Sequence, residues 1–402
     1  MSVTLGIIGA SVRAATESAL RAGFRVLGID QFADRDCAAA VENGADFAAC
    51  HTWLDRQARR CPDLAWMYLG GWENSAELVD RLARKARLLG VSGACLRQLR
   101  DPEHLCRVLR AGGFDMPEMV HEPCELPVSP PTARWLLKRA ASAAGRGIEQ
   151  WNAGTRFPEQ YYLQREIFGE SRSGAYLAEV DQCRLLGVFD ALPPAPGTGA
   201  RRFWYAGSIG PRPLSQREYD YWHALGRWIW QSFALRGLFG VDVVVRESEI
   251  LVLEVNPRLT ASMELLDRSG GNSVVAMHVG ACLEKSAALY SAPADNASEI
   301  ARNAAPITGP VQRLVHAKAI LYATRPTTIT SSLSDAWLRR KLSANTGMQS
   351  PIADIPWPGS RIDPGTPIVT VFGSGESMQD ARTELCDQIL SVRREIDADQ
   401  HP

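Results

Sequence analysis

No Cys-x-x-Cys spacing occurs anywhere in this chain, although it has nine cysteines. Cys37, Cys50, Cys61, Cys95, Cys106, Cys124, Cys183, Cys282 and Cys386 are odd in number and widely scattered. That pattern suits reduced thiols packed as small apolar side chains, and it argues against a disulfide framework or a zinc site. The seven histidines do not gather with them. Charge of one sign is missing too: 44 Lys and Arg stand against 45 Asp and Glu, a net −1. Such a balance gives no electrostatic reason to expect nucleic acid or an acidic membrane as partner. There is no apolar run of transmembrane length, no internal repeat and no low-complexity tract. The start, Met1 to Gly9, reads as a first buried strand and not as a basic, cleavable signal. A cytoplasmic protein is the expectation.

The commonest nucleotide signatures are also absent. Gly9-Ala10-Ser11-Val12-Arg13-Ala14 follows an apolar run but lacks two of the three glycines of a dinucleotide fingerprint, although Asp30 stands about 20 residues further on. A P-loop, Gly-x-x-x-x-Gly-Lys-Ser/Thr, does not occur.

What is present begins with size. A chain of 402 residues exceeds one hydrophobic core and predicts two or three domains. Apolar residues at 46% and charged residues at 22% fit an ordinary globular enzyme. Residues 1–95 alternate strand and helix signals: an apolar run Val3–Ile8, a helix from Ala14 to Ala22, a strand Arg25–Ile29 and an amphipathic helix Glu77–Leu89. This predicts an N-terminal doubly wound α/β domain. The middle unit, 96–290, opens on a basic helix, Leu96–Arg110, and a Pro-rich joint, Pro117–Pro131. The strands Arg134–Arg139 and Tyr161–Phe168 follow, then a Trp-rich helix around Tyr219–Trp230 and a helix over Ser273–Leu289. A linker covers 291–310. The strands His316–Ala323 and Ile368–Phe372 and a closing helix, Met378–Arg394, predict a small C-terminal α+β domain over 311–402.

The most informative stretch runs from Gly240 to Arg258. Two β-branched apolar runs meet at a polar turn centred near Ser248, which sets Asp242 opposite Glu254 if the runs pair antiparallel. Directly opposed residues have Cβ atoms about 4.5–5.5 Å apart. Asn256, two residues past Glu254, projects from the same face. Two acids and an amide oxygen on one face are costly unless a cation sits between them. Magnesium bridging nucleotide phosphates is the common solution. The plainer reading is a wet hairpin face whose Asn-Pro merely ends a strand.

Upstream, Lys138 ends a strand and is followed by a loop of small residues, Ala140-Ala141-Ser142-Ala143-Ala144-Gly145-Arg146-Gly147. Small residues let backbone N–H groups approach phosphate oxygens while the ammonium supplies a point charge. A surface lysine with its stem lying along the protein is the alternative.

The order of these pieces resembles the ATP-grasp superfamily, in which two α+β subdomains clamp ATP. Lys138 and its loop come first, then Tyr161-Tyr162-Leu163-Gln164-Arg165-Glu166-Ile167-Phe168-Gly169-Glu170, and then the hairpin with Asn256-Pro257-Arg258. The resemblance covers about 96–290, with a lid over about 115–170, and implies ATP and Mg2+ as cofactors. It implies that Lys138 meets nucleotide phosphates, that Ser142, Gly145 and Gly147 belong to the phosphate-covering loop, and that Gln164, Arg165, Glu166 and Ile167 form the adenine-reading strand. Glu170 would be a ribose contact. Asp242, Glu254 and Asn256 would be metal ligands, and Arg258 would stabilise transferred phosphate and acyl-phosphate charge, with Lys138 beside it in catalysis.

Gly9-Ala10-Ser11-Val12-Arg13, Gly70-Gly71-Trp72-Glu73-Asn74, Arg100-Asp101-Pro102 and Thr260-Ala261-Ser262-Met263-Glu264 are similar to carboligases related to biotin carboxylase. Some of these belong to one-carbon cofactor pathways (tetrahydromethanopterin, methanofuran or methylofuran). Two departures stand out. The Asp-Lys or Asn-Lys of many ATP-grasp proteins reads Asp101-Pro102 here, so Arg97, Arg100 or Arg107 is left to replace that lysine. No Met-Lys-Met biotin acceptor sequence occurs. The expectation is a ligase joining a small-molecule carboxylate to an amine. The alternatives are a bicarbonate-activating enzyme and a regulatory protein that binds ATP without chemistry. Ser11, Arg13, Glu73, Asn74, Arg201 and Arg202 are candidate substrate contacts. The C-terminal domain either closes the cleft or forms the face of a homodimer.

Overall fold

The computed structural model describes residues 4–400 apart from 38, 45, 127–132, 140, 153, 155–156, 248, 271–272, 284–313 and 345–348. The linker expected at 291–310 and residues 284–289 of the expected helix lie outside the described residues.

The N-terminal unit contains β1 (Thr4–Gly9), α1 (Arg13–Arg21), β2 (Arg25–Asp30), β3 (Ala40–Asn43), α2 (Phe47–Arg60), β4 (Ala65–Tyr68), α3 (Ala76–Ala83) and β5 (Arg87–Leu88). The strands form a parallel sheet in the order β3-β2-β1-β4-β5. Every residue of β1 is buried, as expected for a parallel strand covered on both faces. Asp30 accepts from the amides of Val12 (2.7 Å), Phe32 (2.7 Å) and Ala33 (2.9 Å), so its carboxylate fixes the turn beyond β2. The helix expected over Glu77–Leu89 stops at Ala83, because Leu88 pairs with Trp66 and the Leu89 amide donates to the Trp66 carbonyl at 2.7 Å.

The expected single basic helix is two, α4 (Gly93–Leu99) and α5 (Pro102–Ala111). Pro102 has no amide to continue α4, and Asp101 caps α5 by accepting from Glu103 N at 3.0 Å and His104 N at 3.1 Å. A four-stranded antiparallel sheet follows, in the order β6-β9-β7-β8, from β6 (Met119–Val120), β7 (Trp135–Arg139), β8 (Ile148–Gln150) and β9 (Tyr161–Arg165). β9 ends at Arg165, three residues before the expected limit, and Phe168 is exposed.

The central sheet has eight strands, β14-β13-β10-β11-β12-β15-β19-β17. Five come from the middle of the chain: β10 (Glu170–Ala178), β11 (Cys183–Ala191), β12 (Gly207–Gly210), β13 (Gly237–Arg246) and β14 (Glu249–Asn256). Three come from the C-terminal segment: β15 (Val315–Tyr322), β17 (Ile352–Ala353) and β19 (Pro367–Gly375), joined through the β12–β15 pairing. β16 (Thr327–Thr328) and β18 (Arg361–Ile362) make a separate two-stranded ribbon.

One face of the sheet is covered by α6 (Gln216–Phe233), whose Trp222, Leu225 and Ile229 are buried against Tyr176 and Phe239. The Tyr176 hydroxyl donates to the Trp222 carbonyl at 2.9 Å. α7 (Glu264–Arg268) follows the hairpin, and α8 (Val274–Cys282) packs against β13 and α1 on the other face. α9 (Ser331–Leu342) and α10 (Met378–Asp399) cover the C-terminal strands through Leu333, Trp337, Leu385, Ile389 and Val392.

Candidate functional site

The hairpin of β13 and β14 sets two carboxylates on the sheet. Asp242 stands opposite Glu254 and Gly240 opposite Asn256. The pairing next to the turn is one residue out of the expected register, since Arg246 pairs with Glu249, and a bulge beyond Asp242 restores it. Glu247 takes φ 54° at that turn. Ser173 on β10 lies opposite Asp242 on its other side and hydrogen-bonds its carboxylate.

Burial and the neighbouring Glu254 charge raise Asp242 to about 7, with the Ser173 hydroxyl pulling the other way. Burial also pushes Glu254 up, but the charges of Arg100 and then Lys138 bring it below the usual carboxylate range. A carboxylate pushed up by burial and by the charge of its twin is the electrostatic condition a hard cation relieves. Asn256 Nδ2 donates to Asp242 Oδ2 at 2.9 Å and to Glu254 Oε1 at 3.2 Å, while its Oδ1 accepts from Arg258 Nη2 at 3.2 Å. The amide thus presents N–H to the acids, and must turn over before its oxygen can join them. Among the described residues, no group of three or more His, Cys, Asp or Glu is placed to hold a metal. Two acids and an amide suit magnesium that draws further oxygens from phosphates, which is how that ion is commonly held.

Lys138 reaches the same cleft from β7. Its Nζ donates to Gln164 Oε1 at 3.0 Å, and its charge acts on Glu254. The loop after it is docked on three sides. The Ser142 carbonyl accepts from Asn74 Nδ2 at 3.2 Å, and the Ala144 carbonyl accepts from Tyr205 N at 3.2 Å. Arg146 donates to the Gly365 carbonyl at 2.7 Å and lies 4.6 Å over the Trp204 ring. Gly145 has φ +71°, and a Cβ there would meet the Phe203 carbonyl oxygen at 1.7 Å.

On β9, Gln164 is buried beside Lys138. The amides of Arg165 and Glu166 donate to the carbonyls of Glu118 and Arg134, both at 2.8 Å. At these two positions only carbonyls and side chains remain for a purine. Ile167, just past β9, is half-buried. Arg165 is exposed beside Glu118, and buried Glu166 is paired with Arg202. Glu170 is not brought into the cluster. Strand alternation puts it on the face shared with Arg172, which turns towards Glu218 of α6, and Glu170 pairs with Arg172 at 2.7 Å.

Arg258 is in place: its Nη2 donates to Glu73 Oε1 at 2.6 Å as well as to Asn256. Of the substrate candidates, Glu73 and Asn74 reach the site, whereas Arg13 does not. Its guanidinium is buried among Glu264 (2.7 Å), Asp354 (2.7 Å) and Glu17 (2.9 Å), tying the N-terminal unit to α7 and the C-terminal segment. Ser11 lies 3.4 Å from the same Asp354. Arg201 stands 5.2 Å over Trp204.

Residues 100–262 match the ATP-grasp domain model. No curated protein matches the chain by sequence. Among solved structures, L-amino acid ligase from Bacillus licheniformis is similar at 15% identity and TM-score 0.66, over 98% of this chain and 97% of that one. N5-carboxyaminoimidazole synthetase from Staphylococcus aureus complexed with ADP aligns at 14% identity and TM-score 0.67, over 96% and 97%. A biotin carboxylase–β,γ-ATP complex from Campylobacter jejuni aligns at 14% and 0.65, over 97% and 95%. Nearly the whole chain follows the fold these structures share, and residues 100–262 match the ATP-grasp domain within it.

Proposed function

We propose that this chain is an ATP-dependent ligase that converts a substrate carboxylate to an acyl phosphate for attack by an amine, releasing ADP and phosphate. The observation that carries the reading is the convergence of Asp242, Glu254, Asn256, Lys138 and Arg258 on one cleft. Phosphoryl transfer asks little covalent chemistry of a protein; positioning and charge neutralisation supply most of the acceleration. Lys138, braced by Gln164, presents its ammonium to the phosphates. The loop Ser142–Gly147 closes over them through backbone N–H groups and excludes water. Gln164 to Ile167 hold the purine. Asp242, Glu254 and Asn256 would hold Mg2+, which when bound neutralises phosphate charge. Arg258, beside Asn256, stabilises the oxygens that gain charge as phosphate is transferred and again as the amine displaces it.

The test is mass spectrometry of the full chain with ATP, Mg2+ and a metabolite extract. A new mass equal to two metabolites minus water, lost in Glu254→Gln and Asn256→Ala, supports the ligase. Full turnover in both variants defeats the assignment of these residues. The motif likeness to one-carbon carboligases puts tetrahydromethanopterin and methylofuran precursors in the panel. Labelled bicarbonate belongs there as well, because structures with the same fold include carboxyaminoimidazole ribonucleotide synthetases and biotin carboxylase. Label in the product identifies the carboxylating form of the chemistry. ATP binding without ADP release across the whole panel identifies a sensor.

A further inference from the structure

Glu73 belongs to the turn after β4 in the N-terminal unit, yet its side chain has no exposure and faces the hairpin cleft. One oxygen, Oε1, accepts from Arg258 Nη2 at 2.6 Å and stands 3.1 Å from Arg100 Nη2. Each arginine reaches onward. Arg100 Nη1 is 3.5 Å from Glu254 Oε2, and Arg258 Nη2 is 3.2 Å from Asn256 Oδ1. The chain Glu254–Arg100–Glu73–Arg258–Asn256 links three segments of sequence. The approach is close: a Cβ on Gly70 would lie 3.5 Å from Arg258 Cζ.

One carboxylate between two guanidiniums leaves a single net positive charge, spread over two donors that border both members of the hairpin pair. Burial raises Glu73, but Arg258 and then Arg100 outweigh it and keep it ionised. A free arginine side chain must surrender much rotamer freedom to hold one geometry. A fully enclosed carboxylate imposes that geometry before any ligand arrives.

We propose that Glu73 is a positioning residue that seats Arg100 and Arg258 as a pair, and that the pair receives the terminal phosphate of ATP. The proposal rests on the ligase reading above. Lys138 lies on the four-stranded sheet, so the paired arginines, held by Glu73 of the N-terminal unit, are a second cationic group at the cleft. Arg97 takes no part, because it is exposed and bound to Asp80.

The test is titration calorimetry of the full chain with Mg2+ and either AMP-PNP or ADP, in the wild type, Glu73→Gln, Arg100→Gln and the double variant. Glutamine keeps the size and an acceptor oxygen but removes the charge that balances the pair. The expected result for Glu73→Gln is AMP-PNP binding weakened about tenfold, the low end of what removing an orienting partner costs at a metal site, with ADP affinity little changed. Arg100→Gln should show the same preference, and the double variant should be no worse than the poorer single one, as for coupled neighbours. Unchanged AMP-PNP affinity in both single variants overturns the proposal. So does an equal loss of both nucleotides together with a fall in Tm, the signature of a structural tie. Should Glu73→Gln fail to fold, Arg100→Gln decides alone by its AMP-PNP to ADP ratio. A wild type that binds neither nucleotide overturns the ligase reading, and this proposal with it.

Discussion

Replacing Gly145 and Gly147 separately by alanine tests whether the loop after Lys138 closes on nucleotide in the docked position seen here. Both glycines are left-handed, at φ +71° and +78°. An L-residue in that conformation costs roughly 1–2 kcal/mol. At Gly147 that is nearly the whole penalty, since a Cβ would meet only Arg139 Cβ at 3.9 Å. At Gly145 the new methyl would lie 1.7 Å from a backbone carbonyl, which cannot rotate away as a side-chain tip can. The loop must then leave its seat and give up the Tyr205–Ala144 hydrogen bond and the Arg146 contacts with Trp204 and Gly365. Each such contact is worth roughly 0.5–1.5 kcal/mol. Before binding, the altered loop relaxes by staying undocked, so the deficit appears on closure. At about 1.4 kcal/mol per tenfold, Gly147→Ala should weaken Mg·AMP-PNP binding about tenfold and Gly145→Ala roughly a hundredfold or more. Titration calorimetry reads both values, and the Tm of the free chain should fall further in Gly145→Ala, which forgoes the docked contacts, than in Gly147→Ala. Equal losses in the two variants, or no loss at Gly145, would refute the docked loop as the binding conformation.

Two further predictions concern stability. His278 is buried, its Nδ1 accepts from Leu238 N at 2.9 Å, and its Nε2 therefore carries the proton given to the Leu89 carbonyl at 3.1 Å. Burial lowers it from 6.5 to about 4, so the unfolded chain takes up a proton on acidification before the folded one does. Its contribution is present above pH 6.5 and lost as pH falls towards 4, roughly 3 kcal/mol in all. Urea unfolding at pH 7.5 and pH 5 should show the wild type losing about 2 kcal/mol more than His278→Gln, and parallel losses would count against it. Arg13→Met strands the carboxylates of Glu264, Asp354 and Glu17 around an apolar side chain, and removing one member of a buried ion cluster costs about 3–5 kcal/mol. A urea midpoint within error of the wild type would show that the cluster carries little.

Local pattern carried the opposition of the two acids, and partly by compensation. Alternation with a period of two, reflected about Ser248, opposes Asp242 to Glu254. The pairing beside the turn is offset by one residue, and the bulge beyond Asp242 returns the ladder to the same opposition. Glu170, offered as a ribose contact by family likeness, stands on β10 beyond the break at 166–169, on the face it shares with Arg172. Pro102 marked the α4–α5 break in plain view, yet the run of arginines at helical spacing hid it. Of Arg97, Arg100 and Arg107, the sequence offers no means of choosing. In the structure only Arg100 meets Glu254, while Arg97 is tied to Asp80 and Arg107 is exposed.

Contacts between distant segments escaped altogether, for a physical reason. The β12–β15 pairing joins Ser208 to Lys318 across a separation that no local periodicity spans. Once it forms, Lys318 is buried and donates to Glu264 at 2.6 Å, the same carboxylate that holds Arg13. Glu264 is thereby driven far below the usual carboxylate range: burial opposes ionisation, but Arg13, Lys318 and Arg268 together overcome it. One acid eight residues past Asn256 therefore anchors β15 of the C-terminal segment and α1 of the N-terminal unit to the element that follows the hairpin. Glu73 does the equivalent on the cleft side, where an N-terminal carboxylate holds arginines from α4's end and β14's end. The geometry of the cleft is thus set by two buried carboxylates, each binding cations from separate segments. A substitution at either should disturb nucleotide binding in different ways, Glu73 through the arginines and Glu264 through the packing beneath them.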